Sequence, residues 1–186
     1  MANLDMFFKP NAIAVVGANN KELTIPFRII SNLQDYGFKG PIYPVHPKEK
    51  VVKGMPAFPS ILDTPGPVDL AHIILRRDLV PDTIRDCAKK GVRGVVVNTS
   101  GFSETGPEGK KLEDEIRDLG RSLGVRVFGP NCQGMMNTDV DAPLYSNFTF
   151  ARIKPGHISV LAQGGGVAEV LNSYISEAGV GIRMYA

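Results

Sequence analysis

The sequence has only two cysteines, no long apolar run and almost no excess of either charge sign, and each shortage removes a class of function. Lys plus Arg total 21 against 19 Asp plus Glu, so no broad electrostatic field is available to hold a nucleic acid or an anionic membrane. Any anion must be gripped locally. Cys87 and Cys132 stand in a chain without a secretory signal or a disulfide-dense pattern, which points to a reducing cytoplasm and against a bridge between them. No apolar run approaches the roughly 20 residues needed to span a bilayer. The opening Met1–Lys9, despite Phe7 and Phe8, is too short and too polar for a targeting helix. No second histidine lies at metal spacing from His46, and no metal site is expected.

What is present is an alternation. Ala12–Val16 is a short, wholly apolar run ended by Gly17, and Ile42–Val45, Leu70–Leu75, Gly94–Val97 and Val125–Phe128 repeat that character, as strands buried on both faces do. Between them fall helical patterns over Pro26–Tyr36, Pro81–Lys90 and Pro107–Leu123. Each opens on a proline, which suits a first turn where the missing N–H is not needed. Leu112, Ile116, Leu119 and Leu123 form one stripe on the last of them. Strand–helix alternation with right-handed crossovers predicts an α/β fold built on a doubly wound parallel sheet. Met55–Pro67, with four prolines, is expected to be loop with at most a short helix around Ile61 and Leu62.

After Gly134 the pattern weakens, then restarts with a strand at Ile158–Leu161, a glycine turn at Gln163–Gly166, and a helix burying Val167, Val170, Leu171, Tyr174, Ile175 and Ala178. Another strand begins at Ile182–Tyr185. The expected division is one domain over residues 1–140, followed at 141–186 by a linker and the start of a second α/β unit. That unit has too few elements to close a core alone, so it either belongs to a longer polypeptide or packs on the first domain.

Open α/β sheets bind ligands at the carboxyl edge of their strands, where helix N-termini point free N–H groups into a crevice. The first such turn runs from Gly17 through Asn19 and Thr24 to Ile25 and Pro26, and phosphate is its natural guest. Gly17 stands alone where a dinucleotide fingerprint needs three glycines, which disfavours tight nicotinamide binding; the alternative to a phosphate site is an ordinary exposed connection, and Thr24 as N-cap is compatible with either. The second strand leads into His46-Pro47-Lys48, with Lys48 and Lys50 where a dehydrogenase carries an acid for the ribose. Such cations suit a ribose phosphate, or are solvated surface lysines. His46 reads as a structural or surface residue. Arg76 and Arg77 either pair with a pyrophosphate or with Asp78 and Asp82. Asn98, Thr99 and Ser100 open a polar turn suited to hydrogen-bonding adenine, ribose or a pantetheine amide, or to turn chemistry alone, and Glu104 is a candidate cap for the helix at Pro107. Finally Gly129-Pro130-Asn131-Cys132-Gln133-Gly134 sets an amide and a thiol at a strand end. With no neighbouring base or cation in the sequence, Cys132 is not expected to be a nucleophile, and no catalytic residue is assigned.

Three of these stretches, Tyr43-Pro44-Val45-His46-Pro47-Lys48, Ser100-Gly101-Phe102-Ser103-Glu104 and Gly129-Pro130-Asn131-Cys132-Gln133-Gly134, fall in order, each at a strand end. Together they resemble the CoA-binding domain of the nucleoside-diphosphate-forming acyl-CoA synthetases, the superfamily of the succinyl-CoA synthetase alpha subunit. The resemblance covers nearly the whole chain. It implies a Rossmann-like first domain, a flavodoxin-like second unit, and coenzyme A as ligand. It further implies CoA-binding roles for Gly17, Asn19, Thr24, Ile25, Pro47, Lys48, Asn98, Thr99, Ser100, Asn131 and Cys132, with Lys48 on the adenosine phosphates and the Asn-Cys turn near the thiol. The implied activity is an acid-thiol ligase forming ADP or GDP through acyl phosphate and phosphohistidine intermediates. The implied partners are a beta subunit or fused ATP-grasp domain in an oligomer. Two departures stand out: Pro26 replaces a common glycine, and Ala162-Gln163-Gly164-Gly165 lacks the hydroxyls of the relatives' Ser-x-Ser-Gly turn. In relatives the phosphorylated histidine lies beyond the equivalent of Ala186, and His157 is not in its place, so this stretch is expected to bind CoA without completing a reaction. The alternatives are a non-catalytic CoA or nucleotide sensor, such as the regulatory module of an acyltransferase, and an NADP-dependent oxidoreductase.

Overall fold

A computed structural model describes residues 4–186, so the first three residues of the Met1–Lys9 stretch lie outside the described residues. The chain begins with the single-turn helix α1 (Asp5–Phe8) and then alternates β1 (Ile13–Val16), α2 (Ile25–Asp35), β2 (Ile42–Val45), β5 (Leu70–Ile73), α3 (Val80–Lys90), β6 (Gly94–Val97), α4 (Pro107–Leu123) and β7 (Arg126–Phe128). A small antiparallel hairpin, β3 (Val51–Val52) and β4 (Met55–Pro56), interrupts this rhythm, and a 3-10 turn at Ile61–Asp63 occupies the place expected for a short helix. The hairpin falls where sequence reading expects loop. Ladder bonds need so few residues here that Pro56 at the strand's end does not prevent them.

The five long strands form a parallel sheet in the order β2-β1-β5-β6-β7. Central β1, β5 and β6 are buried along their whole length, whereas edge strand β7 exposes Arg126 and only half-buries Val127 and Phe128. Alternating side chains supply two cores. On one face Ala14, Ala71, Ile73, Val95 and Val97 meet α3 and α4 through Val80, Ile84, Cys87 and Ile116. On the other Ile13, Val15, Leu70 and Val96 meet Phe7 of α1 and Ile29, Ile30 and Leu33 of α2. Helices on both faces make the α/β sheet doubly wound, as the alternation requires.

A second, four-stranded sheet has the order β10-β11-β8-β9, from β8 (Gly134–Asn137), β9 (Leu144–Asn147), β10 (Pro155–Val160) and β11 (Ile182–Tyr185), with α5 (Gly165–Glu177) crossing between the parallel pair β10 and β11. It therefore takes strands from both sides of residue 140. The sheet leans on the first unit: Met135 and Leu144 join the α2 core, Tyr145 stacks on Tyr36 at 3.8 Å between ring centroids, and the Asn32 amide donates to the Asn147 carbonyl at 2.8 Å. The burial expected for α5 is corrected. Val167 and Tyr174 are 62% and 66% exposed and Val170 is also exposed, while Ala168 and Asn172 face inward. A small residue is what lets this helix approach the sheet closely, so the bulky stripe is turned outward.

Candidate functional site at the carboxyl rim

Because the five strands are parallel, the turns that follow them emerge along one edge of the sheet. Strand order sets their sequence on that rim: the Lys48 turn lies at one end, the Asn131–Cys132 turn at the other. Four inter-strand steps of roughly 4.8 Å put the two about 19 Å apart. Between them is the switch point, where the chain passes from β1 outward to β2 and returns on the other side of β1 as β5.

At the switch point Gly17 adopts φ 95°, and its N–H and that of Ala18 donate to the Val45 carbonyl at 3.0 and 3.2 Å. Asn19 Oδ1 accepts from the Lys21 N–H (2.9 Å) and the Thr24 hydroxyl (3.0 Å), which folds the turn over itself. Thr24 occupies the N-cap position of α2, but its hydroxyl points back to the turn and caps nothing. Arg28 N–H makes the first helical bond, to Thr24 at 3.0 Å, so the N–H groups of Ile25 and Phe27 precede the ladder and Pro26 contributes none. Asn20 adds a fastening that sequence reading missed. Its amide donates to Val51 O at 2.8 Å and accepts from Lys53 N–H at 3.0 Å, tying the turn to the hairpin.

Pro47 and Lys48 are exposed, and the turn that carries them is shaped by His46. Its Nδ1 accepts the N–H groups of Lys48 (3.2 Å) and Glu49 (2.9 Å), so of the structural and surface readings open to His46 the structural one describes it: the imidazole organises the lysine's backbone. Of the two arginines, Arg76 takes the acidic partner expected of it and Arg77 a different one. Arg76 pairs with Asp78 at 2.6 Å, and Arg77 donates to Gly101 O at 2.6 Å and Thr105 Oγ1 at 3.1 Å; Asp82 pairs instead with Arg85 at 2.8 Å. Glu104 accepts from Gly101 and Phe102 N–H at 2.6 and 3.1 Å, so it closes its own turn rather than capping α4.

The far end of the rim is bound together by side chains. Asn98, almost wholly buried, donates from Nδ2 to the Cys132 carbonyl at 3.0 Å and faces the His72 ring through Oδ1 at 2.9 Å. The Thr99 hydroxyl donates to Leu75 O at 2.8 Å and accepts the Leu75 N–H at 3.2 Å, while the Thr99 carbonyl accepts the Asn131 N–H at 3.0 Å. Ser100 beside them is exposed. Asn131 is held at φ 52°, a left-handed conformation that Asn tolerates better than most residues. The Cys132 sulfur lies 3.5 Å from Val97 O, and burial pushes its thiol up to about 12, so at neutral pH it is protonated and inert as a nucleophile. Gln133 then links the bend to the second sheet. Its Oε1 accepts from the Tyr185 hydroxyl at 2.6 Å, and its Nε2 donates to Glu169 at 2.7 Å; Glu169 also accepts the Phe150 and Ala151 N–H groups at 2.9 and 3.1 Å. A cleft of about 580 Å³ opens here, lined by Asn131, Cys132 and Gln133 on one side and by Gly164, Gly165 and Tyr185 on the other.

Three groupings thus emerge from the residues singled out in the sequence. Gly17, Asn19, Thr24 and Ile25 form the turn at the switch point; Asn98, Thr99, Asn131 and Cys132 form one bonded cluster; Pro47 and Lys48 stand apart at the opposite end. The rim thus carries an amide-rich centre, an ammonium at one end and a cleft bearing a thiol side chain at the other. Residues 11–138 match the family model described as CoA binding domain.

The chain belongs to the CoA-binding domain family. It is 41% identical over 163 residues to the acetate–CoA ligase [ADP-forming] II subunit alpha of Pyrococcus furiosus, covering 87% of this chain and 35% of the relative. It is 37% identical to the 4-hydroxybutyrate–CoA ligase [ADP-forming] of Nitrosopumilus maritimus, covering 92% of this chain and 24% of that one. The dinucleotide-forming acetyl-coenzyme A synthetase 1 of Ca. Korarchaeum cryptofilum, solved with phosphate and ADP, superposes with a TM-score of 0.94 at 36% identity, over 100% of this chain and 39% of that chain. The chain therefore spans about a third or less of the length of these curated relatives, and its kinship is with the ADP-forming acyl-CoA ligases. Among the described residues no helix is long and apolar enough to cross a membrane, and no cluster of His, Cys, Asp or Glu could hold a metal ion.

Proposed function

We propose that residues 1–140 of this chain seat coenzyme A as a substrate, and that residues 141–186 open the second domain of a cytoplasmic ADP-forming acyl-CoA ligase that works with a beta subunit or a fused ATP-grasp domain. One observation carries the reading: within a CoA-binding family member, a lysine turn and a cleft bearing a thiol side chain stand at opposite ends of a single five-stranded rim, with the amide-rich switch-point turn between them. In this arrangement Lys48 takes the phosphate on the ribose. Asn19, Thr24 and Ile25 present backbone N–H groups to the diphosphate, while Gly17, its own N–H engaged by the Val45 carbonyl, shapes the turn. The exposed Ser100 lies along the nucleotide, while Asn98 and Thr99 act by fastening the turns. The pantetheine arm runs toward Asn131 and Cys132, and its thiol enters the cleft facing Gly164 and Gly165. There it attacks an acyl phosphate: the sulfur–acyl bond forms, the acyl–oxygen bond to phosphate breaks, and the thiol proton leaves to solvent. These relatives are ADP-forming ligases, which favours this reading over a CoA sensor or an NADP-dependent oxidoreductase.

Titration calorimetry with CoA, dephospho-CoA and NADPH tests the proposal. Binding of CoA with weaker binding of dephospho-CoA is expected; NADPH binding tighter than CoA overturns it. Cys132→Ala is expected to change CoA affinity by less than about threefold, because a thiol with a raised pKa contributes packing rather than charge. A loss of more than tenfold would assign the sulfur a direct role.

A further inference from the structure

Of the chain's three histidines, His72 is the one that is buried, and it belongs to no turn of the rim. It lies within β5 between Val15 of β1 and Val96 of β6, fully enclosed, with the Asn98 side chain as its one polar partner; Nε2 has no partner. A ring nitrogen facing a carbonyl oxygen gains from carrying the proton, and one facing apolar side chains does not. The imidazole is thus the Nδ1–H tautomer, and Asn98 must meet it with oxygen. Burial, opposed by the Asn98 bond, pushes the imidazole down to about 4, so this neutral form holds throughout the neutral range.

The two ends of an asparagine amide have nearly the same shape, so its orientation is decided by what each end faces. With Oδ1 turned to His72, Nδ2 is turned to the Cys132 carbonyl at 3.0 Å. A flipped amide would set oxygen against oxygen there and hydrogen against hydrogen at the ring. We propose that His72 is a positioning residue: from the middle of the sheet it fixes the orientation of the Asn98 amide and, through it, the Asn131–Cys132 bend that receives the pantetheine arm. This role rests on the CoA reading given above, but the bend itself reports on it independently.

The test compares His72→Leu, which removes the donor, with His72→Gln, whose side-chain N–H can replace it. Three quantities are measured in each: affinity for CoA, affinity for adenosine 3′,5′-bisphosphate, and the rate of Cys132 alkylation located by peptide mass spectrometry. His72→Leu is expected to weaken CoA about tenfold, the scale of one lost buried hydrogen bond, with the bisphosphate within about twofold of the parent and Cys132 alkylated several-fold faster. His72→Gln should recover most of both losses. Unchanged CoA affinity and unchanged alkylation in folded His72→Leu overturn the proposal, as does an equal loss for both ligands, the mark of a merely structural residue. Should His72→Leu fail to fold, Asn98→Asp decides: it keeps the acceptor for His72 but removes the donor to Cys132, and parent-like CoA binding in it overturns the proposal. If the parent chain binds no CoA, the functional reading fails, while the alkylation rates still judge His72.

Discussion

Gly17→Ala is expected to lower folding stability by about 2 to 6 kcal/mol, an effect built from two costs of about 1 to 3 kcal/mol each. The first is conformational. Gly17 sits at φ 95°, a backbone state that an L side chain rarely adopts. The second is steric, since a Cβ at this position would stand 2.1 Å from the Ile74 carbonyl oxygen, a main-chain atom that no rotamer change can move. Relief would require β1 to part from the turn after β5, at the switch point itself. For a chain of this length each kcal/mol moves the midpoint by roughly 2 to 4 °C, so thermal unfolding followed by circular dichroism should show a drop between about 4 and 24 °C. Gly91→Ala is the control. Gly91 also has positive φ, 85°, but a Cβ there meets nothing within 4 Å, so it bears the conformational cost alone. If the two variants melt together, the close approach at Gly17 carries no energetic weight, and the tight turn after β1 is not what fixes this glycine.

That glycine was legible in the sequence because it ends an apolar run, and the same holds for most of the parallel sheet. Runs such as Gly94–Val97 can be buried only inside a sheet, and prolines at the heads of α2, α3 and α4 mark where each crossover begins. Strands β8 and β9 escaped notice for the converse reason. Gly134–Asn137 and Leu144–Asn147 are Gly-Met-Met-Asn and Leu-Tyr-Ser-Asn, with neither β-branched enrichment nor alternation, and their burial comes from leaning on α2 rather than from local preference. Helix α5 shows the limit of periodicity from another side. Its apolar stripe was correctly located as a stripe, yet a sequence does not say which face a neighbour covers, and Ala168 with Asn172 won the inner position. At the site, positions were readable and partners were not. Asn98 could be placed at a strand end, but nothing announced that a histidine 26 residues away would take one end of its amide and a carbonyl 34 residues away the other.

Lys48→Ala is expected to weaken CoA by about 1.5 to 3 kcal/mol, roughly ten- to 150-fold, the range for losing a hydrogen bond to a charged group. Exposure argues for restraint, because an ammonium in water at the end of the rim is screened and an exposed pair of unit charges is worth at most about 1 kcal/mol. Two features push the other way. A phosphate on the ribose carries nearly two charges at pH 7, and His46 holds the backbone of the Lys48 turn through bonds of 3.2 and 2.9 Å, so part of the ordering cost is already met before ligand arrives. The larger loss should therefore appear at low ionic strength and shrink as salt is added. Dephospho-CoA supplies the second dimension of the measurement. If the ammonium meets the 3′-phosphate, removing either partner should cost the same amount and removing both should cost little more than removing one, the coupling expected of a single contact. Equal losses for CoA and dephospho-CoA in Lys48→Ala would instead place the phosphate elsewhere on the rim, and with it the direction in which the ligand lies across the sheet.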